Sequence, residues 1–141
     1  MRVVIDTNLI VSGFIWGGTP LLLFRSIVEK MSQIEILTTQ SLLDELKEVL
    51  SRSKFIKMLN ESGDSADNII HFYQESTKQV EPAIIPPNVI RDPNDIKFLA
   101  CAVGGQADYI ITGDNDLLIL KEYQEIRIVT ASEFLTIIQK G

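Results

Sequence analysis

Two runs, VVIDTN at Val3 to Asn8 and YIITGDNDLL at Tyr109 to Leu118, carry unbroken apolar residues straight into carboxylates. Val, Ile and Tyr in such runs suit parallel strands covered on both faces, and sheets of that kind bind ligands just beyond the carboxyl ends of their strands. Asp6, Asp114 and Asp116 stand at those ends. If the two strands are neighbours, like charges converge where each resists ionising unless cations neutralise them, which is the chemistry of a divalent metal site. Each acid also has a structural use. Asp6 taken alone reads equally well as the N-cap of the helix that follows, and at least one of Asp114 and Asp116 is expected to cap or turn the segment after its strand.

Two more acids fit the same chemistry. Leu42, Leu43, Leu46, Val49 and Leu50 repeat with helical spacing, which puts Asp44 and Glu48 opposite the apolar face and Glu45 about 100° from its centre, at the border where a side chain can reach a cleft. The plain alternative for Glu45 is a solvated glutamate paired with a lysine. In RDPNDIKFLACA, Asp92 before Pro93 reads as a helix cap with the proline at the first helical position. Asp95 then falls in the first turn, either as a partner in that cap or as a metal ligand. The helix behind it is apolar nearly all round, so a ligand there would be firmly held.

The elements that must position these acids alternate along the chain. Strands are expected at Val3 to Asp6, Ile34 to Thr38, Tyr109 to Thr112 and Ile126 to Val129, with a short edge strand around Val80 in the proline-rich connection. Helices are expected from Thr7, from Pro20 to Met31, over Leu42 to Leu50, from Asp64 to Lys78 with the aspartate as cap, over Asp92 to Val103, and after Thr130, where Thr130 and Glu133 form a capping box. This is an α/β pattern in one domain, residues 1–141, because no repeat or linker divides it and the length suits a single core.

Composition narrows the function classes. With 45% hydrophobic and 23% charged residues the chain is globular rather than disordered. A net charge of -6 argues against phosphate binding through bulk charge, yet two divalent ions in the site would cancel four of those charges. One cysteine, Cys101, permits no internal disulfide and no CxxC zinc framework, so a reducing cytoplasm is expected. The chain enters its first strand at once, with no leader expected, and no apolar run approaches the roughly 20 residues of a membrane span. The single histidine, His71, excludes a histidine-pair ribonuclease. Trp16 could stack on a base at the mouth of the cleft or serve packing or a dimer contact. Lys47, Arg52, Lys54 and Lys57 could track a nucleic-acid backbone or simply form a solvated helix surface.

The order DTN, SLLDEL, DPNDIKFLACA and ADYIITGDNDLL resembles the PIN domain nucleases over almost the whole chain. It is most similar to the bacterial and archaeal subgroup of toxin components of toxin-antitoxin pairs, relatives of the VapC-type ribonucleases. On that likeness Asp6, Glu45, Asp95 and Asp114 form an acidic quartet that holds metal and catalyses, with Asp116 as an additional metal ligand. Asn8 and Thr112 match polar positions that support the site or contact substrate. The resemblance implies a three-layer α/β/α sandwich around a central parallel sheet, Mg²⁺ or Mn²⁺ with two ions as the expected count, an RNA substrate, a small antitoxin partner and a homodimer. The competing readings are a PIN-type nuclease of RNA processing or of DNA without an antitoxin, and a non-catalytic module that binds metal or RNA.

Overall fold

The structure is a computed structural model and describes residues 1–140. Along β1 (Arg2–Ile5), Val3 and Ile5 point into one core and Val4 into another, as the two-residue period of a strand requires. The same division continues in β2 (Glu35–Thr38), where Ile36 and Leu37 part, and in β4 (Tyr109–Ile111), where Ile110 and Ile111 part. With β3 (Thr77–Gln79), β5 (Glu122–Tyr123) and β6 (Ile126–Val129) they form one sheet in the order β3-β2-β1-β4-β6-β5.

Helices α1 (Thr7–Trp16), α2 (Gly18–Glu29), α3 (Gln40–Leu50), α4 (Ser53–Ser62) and α5 (Ala66–Ser76) pack on the first core. Helix α6 (Ile96–Gly104) and the short α7 (Asn115–Leu118) cover the second core, and α8 (Ala131–Lys140) returns to the first. Burial on both faces accounts for the unbroken apolar strands. The expected three-layer α/β/α sandwich is present, with a sheet that is parallel except at one edge, where β5 pairs antiparallel with β6. Among the described residues no single helix is long and apolar enough to cross a membrane.

Several boundaries differ from expectation for identifiable reasons. The edge strand lies at Thr77–Gln79, and Val80 only closes it by donating its N–H to the Thr38 carbonyl. The cap of α5 is Ser65, whose hydroxyl accepts from the Asn68 N–H, while Asp64 turns back on the Ser65 N–H. Helix α2 begins at Gly18 rather than Pro20, because Gly17, at φ 73°, takes a left-handed bend that turns α2 by 104° from α1. At the start of α6 the chain first makes a 3₁₀ turn, Pro93–Asp95, so the α-helix proper starts one residue after Asp95. At its end, Gly104 lies against the Glu81 carbonyl with no room for a Cβ, and the Ala83 N–H bonds the Ala100 carbonyl at 3.0 Å. The proline-rich connection is thereby tied onto α6.

Candidate metal centre

Strands β1 and β4 run side by side in parallel, with Ile5 opposite Ile111. From this pair the chain order goes outward in both directions, to β2 and β3 on one side and to β6 and β5 on the other. Connections therefore leave in opposite directions and open a crevice beyond the carboxyl ends of β1 and β4. Asp6 and Thr112 are the next residues on each strand.

A chain of short hydrogen bonds fixes the first acids. Asp6 Oδ1 accepts from the Asn8 N–H at 2.9 Å, capping α1, and Asp6 Oδ2 accepts from the buried Thr112 hydroxyl at 2.7 Å. The Thr112 oxygen in turn accepts from the Asp114 N–H at 3.0 Å, and Asp114 Oδ1 accepts from the Asp116 N–H at 2.7 Å, capping α7. Asp6 and Asp114 are thus helix caps that also face the cleft. A capping role and a place at the cleft are thus compatible in these residues.

Asp95 arrives from the other core. Asp92 Oδ1 accepts from the Asn94 N–H at 3.0 Å and the Asp92 carbonyl from the Asp95 N–H at 3.0 Å, which forms the 3₁₀ turn and turns Asp95 inward. Asp95 is only 6% exposed, and its Oδ2 has no hydrogen-bond partner among the described residues. A buried oxygen left without a partner costs about 1–3 kcal/mol, more when charged, so this position asks for a cation. Oxygens of Asp92, Asp95 and Asp116 lie within 4.8 Å of one another. Two oxygens on one ion with bonds of about 2.0–2.6 Å are at most about 5 Å apart, so the spacing fits shared coordination.

Electrostatics agree with the geometry. Burial raises the Asp95 carboxyl from 3.8 to about 7, and the like charges of Asp114 and Asp92 add to the effect. Burial also raises Asp6, opposed by its hydrogen bonds from Thr112 and Asn8 and assisted by repulsion from Glu45 and Asp114. Bound metal would reverse both tendencies by favouring the charged carboxylates.

Glu45 reaches the cleft from the far wall. Strand β2 ends at Thr38, and Thr39 follows it. The Tyr73 hydroxyl donates to Thr38 Oγ1 at 2.7 Å, and Thr39 caps α3 by accepting from the Leu42 N–H. With Leu42, Leu43, Leu46, Val49 and Leu50 buried, Glu45 is half-buried at the helix border, as its angle predicts. Its carboxylate forms an ion pair with Lys97 of α6.

Asp6, Asn8, Glu45, Asp95 and Asp114 line one cleft of about 660 Å³. Thr112 lies beneath it, and Asp116 lines an adjoining hollow together with Asp92 and Asp114. Two residues join the site that the sequence reading assigned elsewhere or passed over. Asp92 combines its capping role with a place beside Asp95, and Lys97 is the single charge in α6, a signal visible in the sequence. Asp44 and Glu48, exposed opposite the apolar face of α3 as the helical spacing predicts, reach the rim of the cleft. They are exposed, and hydrogen bonds occupy them, from Gln40 to Asp44 and from Arg52 to Glu48. Trp16 ends α1, roughly 14 Å along the helix from the acids at 1.5 Å per residue, so it does not stand at the cleft mouth. The Cys101 thiol is buried in α6 and pushed up to about 12 by that burial, which makes it inert.

A profile described as PIN domain matches residues 2–116. The chain belongs to the PIN domain family. It therefore shares its family with nucleases, and the acids of its PIN domain occupy the crevice described above. Among solved structures, the chain is similar to VapBC2 from Rickettsia felis, crystallised bound to a DNA fragment from its promoter, at 13% identity and a TM-score of 0.61. The similarity covers 92% of this chain and 98% of that one, and at that identity it speaks to the fold. No curated protein matches the sequence.

Proposed function

We propose that this PIN domain is a metal-dependent endoribonuclease and the toxin of a toxin-antitoxin pair. The observation that carries the metal reading is the unpartnered, buried Oδ2 of Asp95 among acids that hydrogen bonds hold in place. Asp6, Asp95 and Asp114, which line one cleft, would hold Mg²⁺ or Mn²⁺, with Asp92 and Asp116 bringing oxygens within 4.8 Å of Asp95 and Thr112 orienting Asp6. The ion, when bound, supplies charge neutralisation for the phosphate and a lowered pKa for the attacking water.

The protein's own contribution is placement. Asp6 and Asp114 are held by backbone and hydroxyl donors, so little reorganisation is needed when charge develops on the phosphate. Asn8, exposed at the first turn of α1, is placed to contact a phosphate or sugar oxygen. Arg52, paired with Glu48, stands at the rim and Lys97 lines the cleft itself, so positive charge is at hand for a polynucleotide backbone.

The antitoxin and a homodimer are supported by the surface away from the cleft. Trp16, Leu22, Val28 and Phe72 are exposed on α1, α2 and α5, and Val28 and Phe72 line a hollow of about 320 Å³ together with Phe14 and Phe24. A monomer rarely leaves such residues together without a partner. The fold shared with a toxin-antitoxin complex points the same way. The buried free thiol suits a cytoplasmic setting.

The test is cleavage of end-labelled single-stranded RNA and single-stranded DNA with Mn²⁺ and with EDTA. RNA cleavage that needs Mn²⁺ is expected. Cleavage of DNA alone would favour the nuclease without RNA specificity, and uptake of Mn²⁺ with no cleavage of either would favour a binding module.

A further inference from the structure

Resting on the metal-dependent nuclease reading, this inference concerns the second positive charge that such a reaction uses. The two walls of the cleft are not equivalent. On one, Asp95 has a buried oxygen with no partner and lies among acids only. On the other, Glu45 already holds a cation, the Lys97 ammonium, and the two side chains are 21% and 29% exposed. Lys97 projects from α6, which holds no other charged residue, and it stands two residues after Asp95. Admitting a divalent ion at Glu45 would strip a half-buried ammonium of its partner, a strongly unfavourable change. An ammonium has three N–H donors and no acceptor, so Glu45 can take one and leave two for phosphate oxygens.

We propose that the site works with one divalent ion, held at Asp95 with Asp6 and Asp114, and that the Lys97 ammonium, positioned by Glu45, takes the place of a second ion against the scissile phosphate. Lys97 is then a catalytic residue and Glu45 a positioning residue. In the hydrolysis, a water oxygen forms the new P–O bond, the bond to the leaving oxygen breaks, and the leaving oxygen takes up a proton as the water loses one to solvent. The Lys97 ammonium donates to a non-bridging oxygen. Two ions were the expectation from the sequence, and the Glu45–Lys97 pair is what reduces the count to one.

Calorimetric titration of the full chain with Mn²⁺, alongside cleavage kinetics, tests this. Wild type is expected to bind one ion. Glu45→Gln should still bind one with a similar Kd, while kcat falls on the order of 10²-fold, the scale for losing one charge-stabilising donor. Lys97→Gln should show the same fall in kcat and take up a second ion at the freed Glu45, and Lys97→Arg should bind one ion and recover part of kcat. Two ions in wild type, with one lost in Glu45→Gln, would overturn the proposal, as would undiminished kcat in Lys97→Gln. Failure of wild type to bind any Mn²⁺ would overturn the metal reading itself and this inference with it. If Lys97→Gln does not fold, the ion counts of wild type and Glu45→Gln decide alone.

Discussion

On the β1–β4 side of the cleft, Asp6 and Asp114 are fixed by hydrogen bonds of 2.7 to 3.0 Å to the backbone and to Thr112, and each begins a helix. Across the cleft, Glu45 caps nothing, and among the described residues its one partner is Lys97. The acids of the first wall therefore cap helices as well as facing the cleft, whereas Glu45 faces it from a helix whose stability comes from five buried apolar side chains. Asp95 stands between these cases: its backbone belongs to the 3₁₀ turn, but its side chain stabilises nothing that the fold needs. A carboxylate can be placed precisely either by making it a cap or by burying it at a cost that a ligand repays.

The largest effects should fall on cleavage. Asp6→Asn, Asp95→Asn and Asp114→Asn should each lower Mn²⁺-dependent cleavage by on the order of 10²-fold or more, measured on single-stranded RNA. Asparagine caps helices about as well as aspartate, so the first and third should keep the fold. Alanine separates the walls further. Asp6→Ala and Asp114→Ala should also lose about 1 kcal/mol of stability in denaturant unfolding, the scale of a lost N-cap, whereas Glu45→Ala should not. Equal stability losses at Asp6 and Glu45 would erase the distinction between the two walls.

On α3, Glu45→Gln should be severe, and Asp44→Asn should stay within about twofold of wild type, as expected for an exposed substitution. Although Asp44 reaches the rim, it is exposed and already accepts from Gln40. Comparable losses from the two would show that the rim, rather than the Glu45–Lys97 pair, does the chemistry.

The smallest effect is in the metal-free protein. Because folding raises the Asp95 carboxyl from 3.8 to about 7, the folded state favours its protonated form. That contribution is complete below pH 3.8 and is lost as pH rises through about 7. In EDTA, Asp95→Asn should therefore melt above wild type at pH 7.5 by a few degrees, the scale of about 1 kcal/mol, with the gap closing toward pH 4. The sequence alone suggests the same relief for Asp6→Asn. The structure makes Asp95 the cleaner position, because Asp6 loses a hydrogen bond from Thr112 that offsets the gain. A gap independent of pH would place the charge strain elsewhere.

What the sequence revealed follows the same line. Caps and strand ends are local, so Asp6, the Asp92–Pro93 start and the Thr130–Glu133 capping box, confirmed by reciprocal bonds of 3.0 and 3.1 Å, could be read from a few neighbouring residues. The border position of Glu45 could be read from helical period alone. The hairpin between β5 and β6 could not, because Gln124 and Glu125 adopt φ of 48° and 69° without the Asn or Gly that normally announces such a turn. Helix α4 was not separated from its neighbour because its N-cap, Arg52, makes no side-chain cap and so leaves no start signal. The approach of Lys97 to Glu45 depends on how α3 and α6 pack across the sheet, which no spacing within either helix specifies.

The most direct test of the central claim is the position of the ion. Crystals grown with Mn²⁺ and measured at its absorption edge should show an anomalous peak about 2.1 Å from Asp95 Oδ2, the bond length of a hard octahedral ion, within reach of Asp6 and Asp114. A peak only at the exposed rim acids Asp44 and Glu48, or none at all, would mean that the buried carboxylates are structural and that the cleft is not a metal centre.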